Sequence, residues 1–226
     1  MFLIGLLGGI LVIAVTLSVL INHFLKRGSI YQKESFPSPY LEPGTSWLMI
    51  RGASRAEIIQ ALALQDPGES ASWAEAWNRL SNREVFVSDP VKDWVGVTGP
   101  ALPGPADDID AFYLFLAGLS RDLGEIQFYF ADSCSGHHGW VRMTGGVVYR
   151  AFIWLGVTGW QEGDRTASES RLGLATPQYG AELEPSMVNH NLASIPRLCQ
   201  EWSTSLFLAE LPGVIARATK HTTNSK

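Results

Sequence analysis

The chain has 226 residues, of which 46% are hydrophobic and 17% charged, with a formal net charge of -5. This composition is typical of a folded globular protein with an added apolar segment, and it excludes an intrinsically disordered chain. The acidic balance and the scattered basic residues do not form the basic face of a nucleic-acid-binding protein, so we expect no nucleic-acid partner.

An uninterrupted apolar run begins the chain. From Phe2 to Asn22 no side chain is ionisable, and about 20 residues of α-helix cross a hydrocarbon core of about 30 Å. We therefore predict a transmembrane anchor over residues 1–27. The alternative is a cleaved secretory signal, which needs a basic start and a shorter apolar core than this stretch provides.

The flanks of the predicted span indicate its orientation and its contacts. Lys26 and Arg27 follow the span and no basic side chain precedes it, which places the globular domain of this single-pass membrane protein in the cytoplasm. Gly5, Gly8 and Gly9 have the small-residue spacing that lets a second membrane helix approach closely. The alternative is that apolar helices are simply rich in glycine.

The chain beyond the anchor divides by composition. Residues 28–46 are rich in proline, which resists both helix and sheet, so we predict a semi-extended linker there. Residues 47–212 are predicted to form the globular domain, and residues 213–226 a polar tail.

The first half of the domain alternates short strands with helices. Ser54 and Ser72 each stand three residues before a glutamate, the spacing of a capping box. In chain order, the predicted elements are strand 47–50, helices beginning after Ser54 and Ser72, strands 84–88 and 94–98, and helix 107–123. The last of these has apolar residues recurring at helical spacing.

The second half of the domain is rich in strands. In chain order, we predict strands 125–131, 140–144, 147–155 and 157–161, a short helix opened by a capping box at Thr166, and a final helix over 194–202. Residues 175–191 look irregular. Hairpins interleaved with helices predict an α+β fold with a mainly antiparallel sheet and packed helices, preceded by one N-terminal transmembrane helix.

One stretch of the domain has a recognisable pattern. It consists of Gly139, Trp140, Arg142, Gly146, Arg150, Ala151, Phe152, Trp154, Gly156, Glu162, Gly163, Thr166, Glu169, Leu172 and Gly173. This pattern resembles an uncharacterised group of bacterial α+β proteins, and the similarity extends to residues 85–99 and 201–203. The resemblance implies a shared fold. It implies no catalytic residue, because that group has no assigned activity.

A polar loop between strands 125–131 and 140–144 contains the residues with the most reactive chemistry. Cys134 stands close in sequence to His137 and His138, and a cysteine beside a histidine can form a thiolate nucleophile. A metal site is a further alternative, although no second group has zinc-ligand spacing. We favour a polar loop without catalytic function.

Charged residues on the later strands suggest a contact surface. Arg142 and Arg150 alternate with apolar residues on adjacent strands, so we predict that they bracket one exposed face. That face could contact an acidic partner, and the alternative is a solvated face without a partner. Glu162, Asp164 and Glu169 could pair as acid and base. A turn and the capping box already account for them.

The sequence therefore favours binding over catalysis. It contains no P-loop, GxGxxG, GxSxG or HExxH motif, and we expect no cofactor, no metal and no catalytic residue. We expect a membrane-tethered, non-enzymatic binding module or accessory subunit, whose partners are the lipid bilayer and other membrane protein subunits. The alternatives are a small thiol-dependent hydrolase using Cys134, and an immunity-like protein that neutralises a toxin.

The two cysteines could be bonded to each other or free. Cys134 and Cys199 are too few for a disulfide framework. One bridge between them is an alternative to two free thiols, and we favour the free thiols.

Overall fold

The structure, a computed structural model, describes residues 45–65, 67–203 and 211–219. The predicted anchor over residues 1–27, with Gly5, Gly8 and Gly9, lies outside these residues, and so does the linker up to residue 44. Within the described ranges, no helix combines the length and the apolar character that crossing a bilayer requires. The described residues all belong to one compact unit.

Ten strands form a single sheet in the described part of the chain. They are β1 (Thr45–Arg51), β2 (Leu64–Gln65), β3 (Ser70–Ser72), β4 (Glu84–Ser88), β5 (Trp94–Thr98), β6 (Glu125–Ala131), β7 (His138–Thr144), β8 (Val147–Trp154), β9 (Thr158–Glu162) and β10 (Pro212–Ala218). The order across the sheet is β2-β10-β4-β5-β1-β6-β7-β8-β9, with β3 also paired to β10. The neighbouring strands pair antiparallel.

Five helices accompany the sheet in the described ranges. They are α1 (Arg55–Ala61), α2 (Trp73–Arg79), α3 (Ile109–Leu123), α4 (Ala167–Arg171) and α5 (Pro185–Trp202). The side chains of Ser54, Ser72 and Thr166 each accept a hydrogen bond from the backbone of a glutamate three residues later, which bonds back to the cap. The three capping boxes predicted from the sequence are therefore present.

Helices α3 and α5 cover opposite faces of the sheet. In β6, the ring of Phe128 packs against Phe112 of α3, with centroids 4.6 Å apart. The next residue, Tyr129, contacts Trp202 of α5, with centroids 6.2 Å apart. Because successive side chains in a strand point to opposite faces, the sheet is buried on both sides in this region. This explains why β6 is buried along most of its length.

The core on the α3 face is aliphatic and aromatic. Fully buried side chains from the central strands meet those of α1 and α3 there, and each contributes roughly 1.5–3 kcal/mol to the free energy of folding. The members with no exposed surface are Leu48, Ile50, Ile58, Val87, Val95, Val97, Leu116, Met143, Ala151 and Ile153.

The β7–β8 hairpin positions two arginines that matter below. Its turn is formed by Gly145 and Gly146, whose φ angles of 59° and 82° suit a tight turn that needs two left-handed residues. Arg142 lies directly opposite Arg150, and the register then shifts by one residue at a bulge. The bulge is next to Tyr149, whose side chain is exposed.

The structure confirms an α+β fold with a mainly antiparallel sheet and differs from the predicted elements at several places. The short strands β2 and β3 are not among the predicted elements. Strand β1 begins at Thr45, inside the predicted linker. Residues 185–191 form the first half of α5, with Pro196 inside the helix and not in its first turn. Residues 212–218 form β10, so the predicted polar tail begins with a strand that pairs with β4.

Candidate functional site

The polar loop between β6 and β7 is held together by its own hydrogen bonds. Asp132 Oδ1 accepts from the backbone N–H of Cys134 at 2.9 Å, and Asp132 Oδ2 accepts from the Ser135 hydroxyl at 2.7 Å. The Ser135 hydroxyl in turn accepts from the backbone N–H of His137 at 3.1 Å. These bonds make a tight turn that an aspartate–serine pair commonly stabilises. They leave the Cys134 side chain exposed at the tip.

His138 lies at the start of β7 and is completely buried. Its Nδ1 is 2.8 Å from the carbonyl oxygen of Gly136, and its Nε2 is 3.0 Å from the Asn191 side-chain nitrogen. These partners fit one neutral tautomer, in which Nδ1–H donates to the carbonyl and Nε2 accepts from the amide. The ring also stacks on Trp154, with centroids 5.4 Å apart. Both nitrogens are therefore occupied.

Burial keeps His138 neutral. Removal from water is the main cause that lowers the pKa of His138 from 6.5 to about 4, and the hydrogen bond to Gly136 opposes it only in part. A nucleophilic thiol needs a base that can reach it and take its proton. His138 has neither a free nitrogen nor solvent access, so it does not supply that base.

The second histidine of the loop, His137, lies beside Trp154. Its ring is half-buried and lies edge-on to Trp154, with centroids 6.3 Å apart. Burial lowers the pKa of His137, although the nearby Asp132 carboxylate acts in the opposite direction. Within the described residues no hydrogen bond joins the Cys134 thiol to either histidine. The structure thus brings Cys134, His137 and His138 into one segment and does not join them in a catalytic arrangement.

The most buried charges of the domain form an ion pair between β8 and α4. Arg150 Nε donates to Glu169 Oε1 at 2.7 Å, and both side chains have at most 1% of their surface exposed. The indole N–H of Trp140 donates to the same oxygen at 2.7 Å. Glu169 Oε2 accepts from the backbone N–H of Thr166 at 2.7 Å. One carboxylate thus serves as helix cap, counter-ion and hydrogen-bond acceptor.

This network corrects the predicted exposed face. Arg150 is buried, and its Nη1 donates to the backbone carbonyls of Glu162 and Gly163 at 3.3 and 3.0 Å. Its cross-strand neighbour Arg142 is half-buried and pairs with Glu125 at 2.8 Å. The two arginines do not bracket one exposed surface, because Arg150 is buried in its ion pair with Glu169.

Cys199 lies on the buried side of α5, in a third buried polar group. Its sulfur accepts a hydrogen bond from the indole N–H of Trp47 at 3.4 Å and lies 3.7 Å from the Ser203 hydroxyl. Burial raises the pKa of Cys199, so the group stays a neutral thiol. Both cysteines are free, as we predicted from the sequence. The buried thiol has the features of a structural residue.

Asn191 of α5 belongs to the buried group around His138, and it is not among the residues that the sequence singles out. Its side chain bonds the N–H and the C=O of Ala175 at 2.9 and 2.8 Å in addition to the His138 ring. It therefore fastens the segment before α5 to the sheet. The signal that points to it is the apolar periodicity of Val188, Leu192 and Ile195, which identifies the buried face of a helix.

Charged groups elsewhere on the described surface are mostly matched. Arg79 pairs with Glu69 at 2.7 Å at a shallow groove beside β10, and Arg171 pairs with Glu201 at 2.5 Å on the α5 side. No group of three or more histidine, cysteine, aspartate or glutamate side chains among the described residues is arranged to hold a metal ion.

Exposed apolar side chains lie around β9, the last strand of the sheet. The Trp160 ring packs edge-on against Tyr113 of α3, with centroids 5.7 Å apart and planes at 86°. Tyr113 is 36% exposed and Val157, just before β9, is 42% exposed, while Trp160 is half-buried. We call Tyr113, Val157 and Trp160 the β9 surface.

The fold and these sites define an α+β domain in which His138, Arg150 and Glu169 are buried and hydrogen-bonded, and in which apolar side chains beside β9 are partly exposed. No family model, no curated protein and no solved structure matches the chain. The function is therefore argued from the residues themselves.

Proposed function

We propose that the protein is a membrane-tethered, non-enzymatic binding module or accessory subunit of a membrane protein complex. The globular domain binds a partner protein, and the apolar segment over residues 1–27 anchors it to the bilayer. The anchor rests on the sequence argument alone, because residues 1–44 lie outside the described ranges.

The observation that carries the binding role is how the domain uses its reactive groups. Both ring nitrogens of His138 are committed to Gly136 and Asn191, and the carboxylate of Glu169 is committed to Arg150, Trp140 and the α4 cap. Catalytic groups must instead face a site where a substrate can bind.

The exposed groups of the domain are of a different kind. Aromatic and aliphatic side chains on the β9 surface remain in contact with water. Aromatic residues are enriched where proteins bind proteins, since they bury much area and lose little rotamer entropy on binding. His138 and Glu169 are thus hydrogen-bonded within the protein, whereas apolar side chains are accessible. This contrast supports a binding role over the thiol hydrolase.

The test compares a cysteine variant with wild type. Tagged full-length protein and its Cys134→Ala variant are purified from membranes in mild detergent, and copurifying chains are quantified by mass spectrometry. We expect the same partner in both at equal stoichiometry, because the Cys134 thiol makes no hydrogen bond within the described residues. Cys199→Ser, at the buried thiol, is the control for effects on folding. If Cys134→Ala abolishes the function of the protein in cells while the partner still copurifies, the thiol hydrolase is favoured and this proposal is contradicted.

A further inference from the structure

We infer that the β9 surface binds an extended, basic segment of a partner protein, with an arginine or lysine seated beside Glu162 at the exposed side of the Trp160–Tyr113 ring pair. This inference rests on the proposed binding role and names the surface and the chemistry of the partner. Three features of the described residues support it, and they concern the aromatic rings, the charge around them and the edge of the sheet.

The aromatic pair with its carboxylate has the composition of a cation site. Trp160 Nε1 donates to Glu162 Oε2 at 3.2 Å, so a carboxylate stands at the edge of an indole that Tyr113 packs against. A cation within about 6 Å of a ring face is attracted by the ring quadrupole. The domain already contains such a contact, since Arg51 lies 5.8 Å from the Trp94 ring centroid.

The charge around the β9 surface is of one sign. The segments that carry it, residues 107–120 at the start of α3 and residues 151–164, contain no lysine or arginine. Their acidic residues are Asp107, Asp108, Asp110, Glu162 and Asp164, all of them exposed. The basic residues that border these segments are engaged elsewhere. Arg121 donates to the Ala117 carbonyl and Arg150 pairs with Glu169. Arg165 donates to the backbone carbonyls of Glu169 and Leu174. Among the described residues no lysine or arginine pairs with the five carboxylates, so the surface complements a basic partner.

The edge of the sheet provides backbone groups for an extended segment. β9 has a strand neighbour on one side only. Among the described residues, its outer side pairs with backbone only at Thr158, which bonds to Gly180 and Ala181. A partner strand can add beside Trp160 through main-chain hydrogen bonds, as extended peptides do at open sheet edges.

A second copy of this chain fits the same edge less well. Pairing β9 with β9 would bring two sets of acidic side chains together, including Glu162 of each copy, and like charges facing each other across strands are destabilising. The acidic surface thus favours a basic partner over self-association.

The experiment measures binding of a labelled peptide of alternating arginine and valine to the full-length protein in detergent, by fluorescence anisotropy. The matched probe alternates glutamate and valine. We expect the basic peptide to bind, the acidic peptide not to bind, and added salt to weaken the complex. Trp160→Ala and Tyr113→Ala should each weaken binding about tenfold, and Glu162→Gln about threefold.

Two controls separate the surface from general effects. Met187→Ala removes an exposed apolar side chain from α5, on the other face of the sheet, and Asp122→Asn removes an exposed acid from the far end of α3. Both should leave peptide affinity unchanged. Tyr113→Ala keeps the test decisive if Trp160→Ala unfolds the domain, because Tyr113 lies at the surface.

Two results would overturn the inference. The first is that wild type binds the basic and acidic peptides with equal affinity, or that wild type and both aromatic variants bind the basic peptide with equal affinity. The second is concentration-dependent dimerisation that Trp160→Ala abolishes, which would assign the edge to a second copy. The proposed function is tested separately from this surface. If a native partner copurifies equally with wild type and with Trp160→Ala, the binding role stands and only the assignment of the β9 surface is wrong.

Discussion

Replacing Glu169 with alanine should destabilise the domain by about 3–5 kcal/mol, because it leaves the charge of Arg150 buried without a counter-ion. The same substitution removes the acceptor for the Trp140 indole and opens the capping box of α4. An unpaired charge cannot regain water here, since the Arg150 side chain is 1% exposed. We expect Glu169→Ala to have the largest stability effect of the variants considered.

The measurement is equilibrium urea unfolding of the full-length protein in mild detergent, followed by tryptophan fluorescence. The matched control is Glu201→Ala, which breaks the exposed ion pair with Arg171 and should cost less than about 1 kcal/mol. A double-mutant cycle with Arg150→Met and Glu169→Gln isolates the pair. The double variant should lose less stability than the two single losses combined. Equal losses for Glu169→Ala and Glu201→Ala would show that the pair is not buried in solution.

The domain should lose stability as pH falls from about 6.5 to about 4, with a contribution of about 3 kcal/mol from His138. The pKa of His138 is about 4 in the folded domain, against 6.5 for an exposed histidine. In this interval the unfolded chain binds the proton and the folded chain does not, so protonation favours unfolding. The contribution is complete above pH 6.5 and is lost as the folded-state pKa is approached. Burial lowers the pKa of His137 too and adds to the loss with the same sign.

Urea unfolding at several pH values tests this dependence. His138→Gln should lower stability at pH 7 and flatten the slope between pH 4 and pH 6.5, because glutamine does not titrate. His190→Gln is the control: that ring is exposed, and its Nε2 lies 2.8 Å from the Leu172 carbonyl oxygen. An unchanged slope in His138→Gln would contradict the neutral, buried state of the His138 ring.

Much of the fold follows from local signals in the sequence. The capping boxes at Ser54, Ser72 and Thr166 predict three helix starts, because side-chain and backbone partners lie within four residues of each other. The alternation in β6 and the two glycines of the β7–β8 turn predict strands for the same reason.

Elements that depend on distant partners were missed. The partner of strand β10, β4, lies more than a hundred residues earlier in the chain, so local composition does not reveal the pairing. The first half of α5 lacks a side-chain cap and contains weak helix formers, Asn189 and Asn191 among them. Its packing against the sheet stabilises it instead.

The candidate site shows the same division between local and distant information. The sequence singled out Arg150 and explained Glu169 as a cap, and both statements are local. That the two meet, and that this removes Arg150 from the surface, depends on how α4 lies against β8. In the same way, the proximity of Cys134 to His138 along the chain suggested chemistry that the burial of the His138 ring does not support.

The central claim, that this chain works by holding a partner at the membrane, is tested most directly by the mass of the full-length protein extracted in mild detergent. Multi-angle light scattering, corrected for bound detergent, gives the mass of the polypeptide part. The account predicts a defined complex heavier than the 24.8 kDa chain, and its mass should not change in Cys134→Ala. A protein that stays in the aqueous fraction without detergent, or a lone chain of 24.8 kDa, would contradict it.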